Sequence, residues 1–402
     1  MATVTPDSTV LRPGGRALFV GFLVVGVGGA IATALGAVAL PGRAAAAWLA
    51  AYATVASTAM GALVLHMIGY AANARWMASV RRLMDGVVGV FPALIVLFVP
   101  IVVAVEYLYP WADPAATWAP HEAHVLHEKR AWLNLPGFAI RGFLYLAVCT
   151  VAAELLVRRS RRRDAIVPPP PGEPEITLTT DRAIASALLP AVGLALSFAA
   201  FDWLMTLQPL WVSTMFGVYY FAGGFLAGIA VIAILAAWAR IGADGVITPH
   251  HFHALGRLLL AFTVFWAYCA YFQAFLIRIA DRPQEVAFYI ARLRGGWEVF
   301  VWILVVGHFA LPFLLLLPRR PKLRPRWVAG IAAYLLVMHF LDIYWLVLPA
   351  TGRLMPHWLD LAALAAVVGL CGAFALLRLR GAPLVAVGDP FLPDGARYKS
   401  PT

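Results

Sequence analysis

Residues 211–239 read WVSTMFGVYYFAGGFLAGIAVIAILAAWA, with no Asp, Glu, Lys or Arg among them. A bilayer core about 30 Å thick is crossed by roughly 20 apolar residues of helix at about 1.5 Å each. This stretch is long enough to cross and has nothing to keep it in water. Working outward, nine more stretches meet the same test, at roughly 16–40, 46–72, 86–109, 137–157, 184–207, 254–278, 297–317, 327–349 and 358–378. The first follows Arg12 and Arg16 but exceeds a signal-peptide core in length, so it reads as a membrane helix. The expected fold class is an all-α polytopic membrane protein of about ten transmembrane helices.

Composition agrees. The 402 residues are 62% hydrophobic and 13% charged, where soluble domains run near roughly 45–50% and 25%. That excludes an ordinary soluble enzyme and a disordered chain. Three cysteines (Cys149, Cys269, Cys371) without a CxxC exclude a disulfide scaffold, an iron–sulfur cluster held by this chain alone and covalently attached c-type haem. No Walker A, GxSxG or HExxH pattern occurs.

Net charge is +11, from 31 Lys+Arg against 20 Asp+Glu. In a soluble chain that balance suggests nucleic acid. Here the basic residues sit in short loops, and loop Lys/Arg excess marks the cytoplasmic side. More than two thirds of them fall on the side holding both termini, 73–85, 158–183, 240–257 and 318–326. Both termini are therefore expected in the cytoplasm, with a cytoplasmic segment 1–15, a membrane domain 16–380 and a polar, irregular tail 381–402. Within the membrane domain, the run Arg158–Arg163 and Pro168-Pro169-Pro170-Pro171 mark a linker over 158–183. It divides a first bundle (about 46–157) from a second (about 184–349). The largest piece outside the membrane, 110–136, carries Trp111, Trp118 and Trp132, an interfacial pattern. Pro92, Pro100, Pro190 and Pro312 lie inside spans and allow kinks.

Ionisable groups at membrane depth cost roughly 2.5–3.5 kcal/mol each on insertion scales, so they mark function or a paired structural role. Glu106, Glu154, Arg278 and Glu298 lie near span ends, where side chains reach the interface. His66, His308, His339 and Asp342 are deeper, and Asp202 is intermediate. His339 and Asp342, three apart, share a helix face. An imidazole beside a carboxylate passes protons near neutral pH, against the alternative of a buried pair locking two helices. The candidate proton-handling set is His66, Glu154, Asp202, His308, His339 and Asp342. No span carries two deep histidines, so a bis-histidine haem within one bundle is not expected. His121, His124 and His127 read as a polar surface helix rather than a metal site.

Three stretches carry a family resemblance. The first is Lys129-Arg130-Ala131-Trp132-Leu133-Asn134, followed by Arg141 and Tyr145. The second runs from Phe201-Asp202-Trp203-Leu204-Met205-Thr206-Leu207-Gln208-Pro209 through Trp211 to Ser213-Thr214-Met215-Phe216-Gly217-Val218-Tyr219. The third is His339-Phe340-Leu341-Asp342-Ile343-Tyr344-Trp345, ending at Pro349. Together they resemble the NrfD/PsrC-like membrane subunits of the bacterial alternative complex III, above all the second such subunit (ActF type), over roughly residues 16–380.

The resemblance implies two NrfD-like four-helix bundles with the first and last spans flanking. It implies a subunit in the bacterial cytoplasmic (inner) membrane that supports menaquinol oxidation and conducts protons. A second NrfD-like membrane subunit, a multihaem cytochrome c and an iron–sulfur subunit would be its partners beside the lipid bilayer. Haem and iron–sulfur centres would sit in those partners, menaquinone or menaquinol would be the diffusible substrate, and no nucleic acid is involved. The alternatives are a quinone-binding NrfD-like subunit of another respiratory reductase, a secondary transporter and a structural scaffold for redox subunits. Gly223-Gly224 is the best candidate for the mid-membrane helix break that transporters show.

Overall fold

A computed structural model describes residues 13–165, 174–240, 245–351 and 356–401. The proline run 168–171 and most of the cytoplasmic segment 1–15 lie outside these residues. Among the described residues there is no strand, and ten helices are long and apolar enough to cross a membrane. They are α1 (Gly15–Ala39), α2 (Pro41–Ala71), α3 (Arg81–Val103), α4 (Leu135–Asp164), α5 (Leu178–Leu207), α6 (Met215–Ala239), α7 (Pro249–Ala280), α8 (Trp297–Leu316), α9 (Pro325–Ala350) and α10 (Trp358–Leu379). The chain is a multi-pass helical membrane protein.

Local chemistry fixes many helix starts. Pro41, Pro249 and Pro325 open α2, α7 and α9, where a missing N–H costs nothing. Asn134 caps α4 by accepting the Gly137 N–H at 2.8 Å. Pro100 and Pro190 sit in helix interiors. Pro92 and Pro312 instead stand where helix restarts, after the break at 89–90 and after a π-helical turn over Ile303–Ala310.

Helices α2–α5 form one bundle and α6–α9 a second, joined chiefly by α2 against α6. Helices α1 and α10 pair with each other and lean on α2. Helix α2 is buried along nearly its whole length. Its contact with α6 is backbone to backbone: a Cβ on Gly61 would lie 2.2 Å from the Gly224 carbonyl oxygen, and one on Gly228 would lie 2.5 Å from the Ala62 nitrogen. Gly223-Gly224 therefore does not break α6, which runs unbroken. These glycines let two helices touch, and large outward side chains such as Val24, Leu35, Val103 and Leu361 are left for lipid.

The linker expected from 158 starts later, and the third span, expected over 86–109, runs from Arg81 to Val103. Helix α4 continues to Asp164 because its arginines find carboxylates: Arg158 with Glu154 at 3.0 Å, and Arg159 and Arg163 both with Asp181 of α5. The tail over 381–401 packs across the arginine-rich end of the bundles. Asp389 pairs with buried Arg81, Asp394 with Arg75 at 2.9 Å, Ser400 Oγ lies 2.7 Å from His253 Nδ1, and Tyr398 stacks on Trp76.

The α2–α6 contact yields a direct test. Gly61→Ala forces the helices apart and is expected to cost at least about 1–3 kcal/mol, read as a lower thermal midpoint in detergent. Gly193→Ala, where nothing lies within 4 Å of the added Cβ, is expected to leave the midpoint unchanged. Equal midpoints for both variants would refute the contact.

Candidate functional site

The third resemblance stretch leads to a buried polar cluster at the α2–α6–α9 contact. Asp342 of α9 is 1% exposed and accepts from the Tyr219 hydroxyl on one carboxylate oxygen and from Trp266 Nε1 at 3.1 Å on the other. Both donors are neutral, and among the described residues no cation pairs with Asp342. His339, one turn earlier, lies with Nε2 2.8 Å from Ser57 Oγ. Ser57 gives its own proton to the Thr54 carbonyl at 3.0 Å, so Nε2–H is the donor to Ser57, and Nδ1 is left as a buried acceptor with no partner. Gly223 makes room for both groups. A Cβ there would stand 3.1 Å from His339 Nδ1 and 3.6 Å from Asp342 Oδ2.

His308 completes the cluster. It is fully buried on the π-helical turn of α8, its ring stacked 3.9 Å from Trp266, and neither ring nitrogen has a hydrogen-bond partner. π-turns within α-helices concentrate at functional sites. An unpartnered buried imidazole is costly, which makes it a place for a water, a proton or a ligand atom. His339 and Asp342 share a face as their spacing predicts, yet they do not bond to each other. Each goes to a different neighbour.

Tyr219 and Trp266 are also walls of a cavity of about 620 Å³ between α7 and α8, continued by Gln273, Phe288, Tyr289, Phe309 and Trp345. Its lining is almost wholly apolar and aromatic. Its far end is roofed by the loop helix Pro283–Arg292. Arg292 anchors that helix: fully buried, it donates to Gln208 Oε1 at 2.8 Å, the Phe288 carbonyl at 2.9 Å and the Leu346 carbonyl at 2.6 Å, and it lies 3.5 Å over the Phe288 ring. Burial lowers its pKa to about 9. A cation held only by neutral acceptors beside a cavity is a strong local field.

The other expected proton carriers lie elsewhere. Asp202 takes four bonds: Trp132 Nε1 at 2.7 Å, Arg141 Nε at 2.8 Å and a second Arg141 nitrogen at 3.2 Å, and the Tyr145 hydroxyl at 2.9 Å. Arg141 also stacks over Trp132 at 4.0 Å. The first two resemblance stretches thus meet in one compensated ion pair that ties α4 to α5. His66, at the arginine-rich end, has Nε2 3.2 Å from Asp85 Oδ1 without the alignment of a hydrogen bond. Asp85 is held by Arg82 at 2.9 Å and Ser160 at 2.8 Å, and Arg82 also pairs with Asp164. Glu154 sits between Arg158 and Arg378, linking α4 to α10. Among the described residues no hydrogen bond joins these places to the Asp342 cluster. The six expected residues occupy four separate sites, with only His308, His339 and Asp342 together.

Several participants escaped the sequence reading. Arg82 and Asp85 read as loop but are buried at the start of α3. Ser57 and Trp266 carry no signal at all among the many Ser and Trp of the spans. Tyr219 closes the second resemblance stretch and Asn134 the first, which is the trace that marks them. Among the described residues, no three His, Cys, Asp or Glu side chains gather as a metal site needs.

Two of the buried aspartates separate by measurement. Asp202→Ala leaves Arg141 without its carboxylate and is expected to cost about 3–5 kcal/mol, whereas Asp342→Asn abandons no cation and is expected to cost less than half as much. Thermal midpoints in one detergent check the order, and the reverse order would overturn these roles. No known protein-family model matches the chain, and no curated protein is significantly similar to it.

Proposed function

We propose that this chain is an integral subunit of a quinol:electron-acceptor oxidoreductase in the bacterial cytoplasmic membrane, of the alternative complex III kind. Its partners would be a second NrfD-like membrane subunit, a multihaem cytochrome c and an iron–sulfur subunit, which hold the redox centres. The observation that carries the reading is the aromatic cavity whose wall residues, Tyr219 and Trp266, hold a buried carboxylate with no cationic partner. A menaquinol ring suits flat aromatic walls, and its isoprenoid tail suits an opening toward lipid between α7 and α8. Oxidation of a quinol gives quinone, two electrons and two protons. The electrons leave for the partners' centres. Tyr219, Asp342, His339 and His308 supply acceptors for the protons at the cavity's inner wall.

The sequence-based expectation of proton conduction is narrowed by the same geometry. Between Ser57 and His66, both on α2, lies the glycine contact with α6. That is about 13 Å of helix at 1.5 Å per residue, faced by backbone and methyl groups. Proton exchange is accordingly assigned to the cavity end, and His66–Asp85 to holding the opposite end together.

The test is the purified complex. Asp342→Asn and His339→Gln are expected to lower menaquinol turnover at least about tenfold while electrons delivered artificially to the partners' haem pass normally. An azido-quinone is expected to label peptides around Tyr271 or Phe309. Wild-type turnover in both variants together with labelling elsewhere would remove the proposal.

A further inference from the structure

The arginine-rich end carries a second cavity that the quinol reading does not use. It lies between the start of α1 and the end of α10, with a volume of about 450 Å³. Among the described residues it is lined by Arg16, Phe19 and Val20 of α1 and by Leu376, Leu377 and Arg380 of α10 and its cap. The helix pair explains why it opens there. Deeper in the membrane, α1 and α10 touch by backbone: a Cβ on Gly369 would lie 2.4 Å from the Gly26 nitrogen, and one on Gly29 would lie 2.6 Å from the Ala362 carbonyl oxygen. Toward the end the facing residues become Phe19, Val20, Leu376 and Leu377, whose bulk holds the helices apart.

The two arginines are among those at this end that pair with no carboxylate. Arg75, Arg81, Arg82, Arg158, Arg159, Arg163 and Arg378, all at this end, each pair with a carboxylate. The guanidinium groups of Arg16 and Arg380 have no ion pair or hydrogen bond among the described residues, and none of the described residues lining the cavity is Asp or Glu. Two uncompensated guanidinium groups thus stand at the membrane surface over a short apolar cleft.

We infer that this cleft is a binding site for an anionic phospholipid, with the phosphate between Arg16 and Arg380 and an acyl chain along Phe19, Val20, Leu376 and Leu377. A free phosphate ion satisfies the charges but leaves the apolar walls unused. A zwitterionic lipid satisfies the walls but brings its own cation to the arginines. Guanidinium matches phosphate geometry with paired N–H groups, and basic pockets between membrane helices select anionic headgroups.

The experiment uses the full-length chain extracted in mild detergent and titrated with phosphatidylglycerol or with phosphatidylcholine of the same acyl chains, with bound lipid counted by native mass spectrometry. Wild type is expected to retain one phosphatidylglycerol in preference to phosphatidylcholine. Arg16→Gln with Arg380→Gln is expected to weaken that retention roughly 25-fold, at about fivefold per arginine near an anionic headgroup. Arg326→Gln, at the same end but outside the cleft, is expected to leave it intact. A thermal midpoint measured in phosphatidylcholine confirms that each variant is folded, and the two single glutamine variants repeat the test if the double one is not. Equal retention of both lipids by wild type, or undiminished phosphatidylglycerol retention by folded variants, would overturn the site. Displacement of the lipid by millimolar inorganic phosphate would overturn the lipid as its ligand.

Discussion

The rest of the molecule depends on two helices touching by their backbones. Gly61 of α2 and Gly224 and Gly228 of α6 bring the axes so close that any side chain there would overlap a main-chain atom. Small residues are how membrane helices gain packing when lipid offers no hydrophobic penalty for separation. The consequence is positional. With α6 this thin, Ser57 of α2 reaches past it to His339 of α9, and Tyr220 of α6 donates back to the Ala53 carbonyl at 2.8 Å. The bundles are thereby locked, and one polar cluster is assembled from three helices. The same close contact lies between Ser57 and His66 on α2 and separates the two polar sites.

Three buried aspartates show what partners decide. Asp202 faces Arg141 and two neutral donors, so its charge is balanced and its lone pairs are filled. Asp85 faces Arg82, Ser160 and the edge of His66. Asp342 has only a phenol and an indole. A buried carboxylate with a cation is a fixed tie, costly to break. One with neutral donors has no fixed countercharge, and that difference is what the proposed reading rests on. Sequence depth makes Asp342 deep and Asp202 intermediate and keeps both in the proton-handling set, and it is the opposite partner that gives them different roles.

What the sequence makes legible follows from how local the cause is. Ten apolar stretches are local, so all ten helices stand where composition puts them. The shared face of His339 and Asp342 follows from helix periodicity and holds. Non-local causes are harder to read. Gly223-Gly224 has the composition of a helix break and the role of a helix contact, because the partner backbone at Ser57 is more than 150 residues away in the chain. Arg81, Arg82 and Asp85 look like a charged loop because their compensating groups, Asp389 and Asp164, lie in other segments. The tail looks irregular for the same reason: its order comes from Arg81, Arg75 and His253, which it meets only in the fold.

The cavity sits beside two weakly packed helices. Helix α2 is enclosed by neighbours, while α7 and α8 are mostly turned outward, and α8 is further loosened by a π-turn and by the restart at Pro312. A π-turn adds a residue to one turn, so side chains before and after it no longer follow one stripe. His308 is swung inward onto Trp266 while Val305 and Phe309 of the same turn face the cavity. The gap left beside α7 is then filled by neither helix. At its far end Arg292 keeps the loop helix docked on the Leu346 carbonyl of α9, so the roof is held by hydrogen bonds while the α8 side of the wall presents apolar side chains. Opening of such a structure begins with weakly packed elements, so on the proposed reading a quinol would enter sideways between α7 and α8, with the buried carboxylate on the closed side.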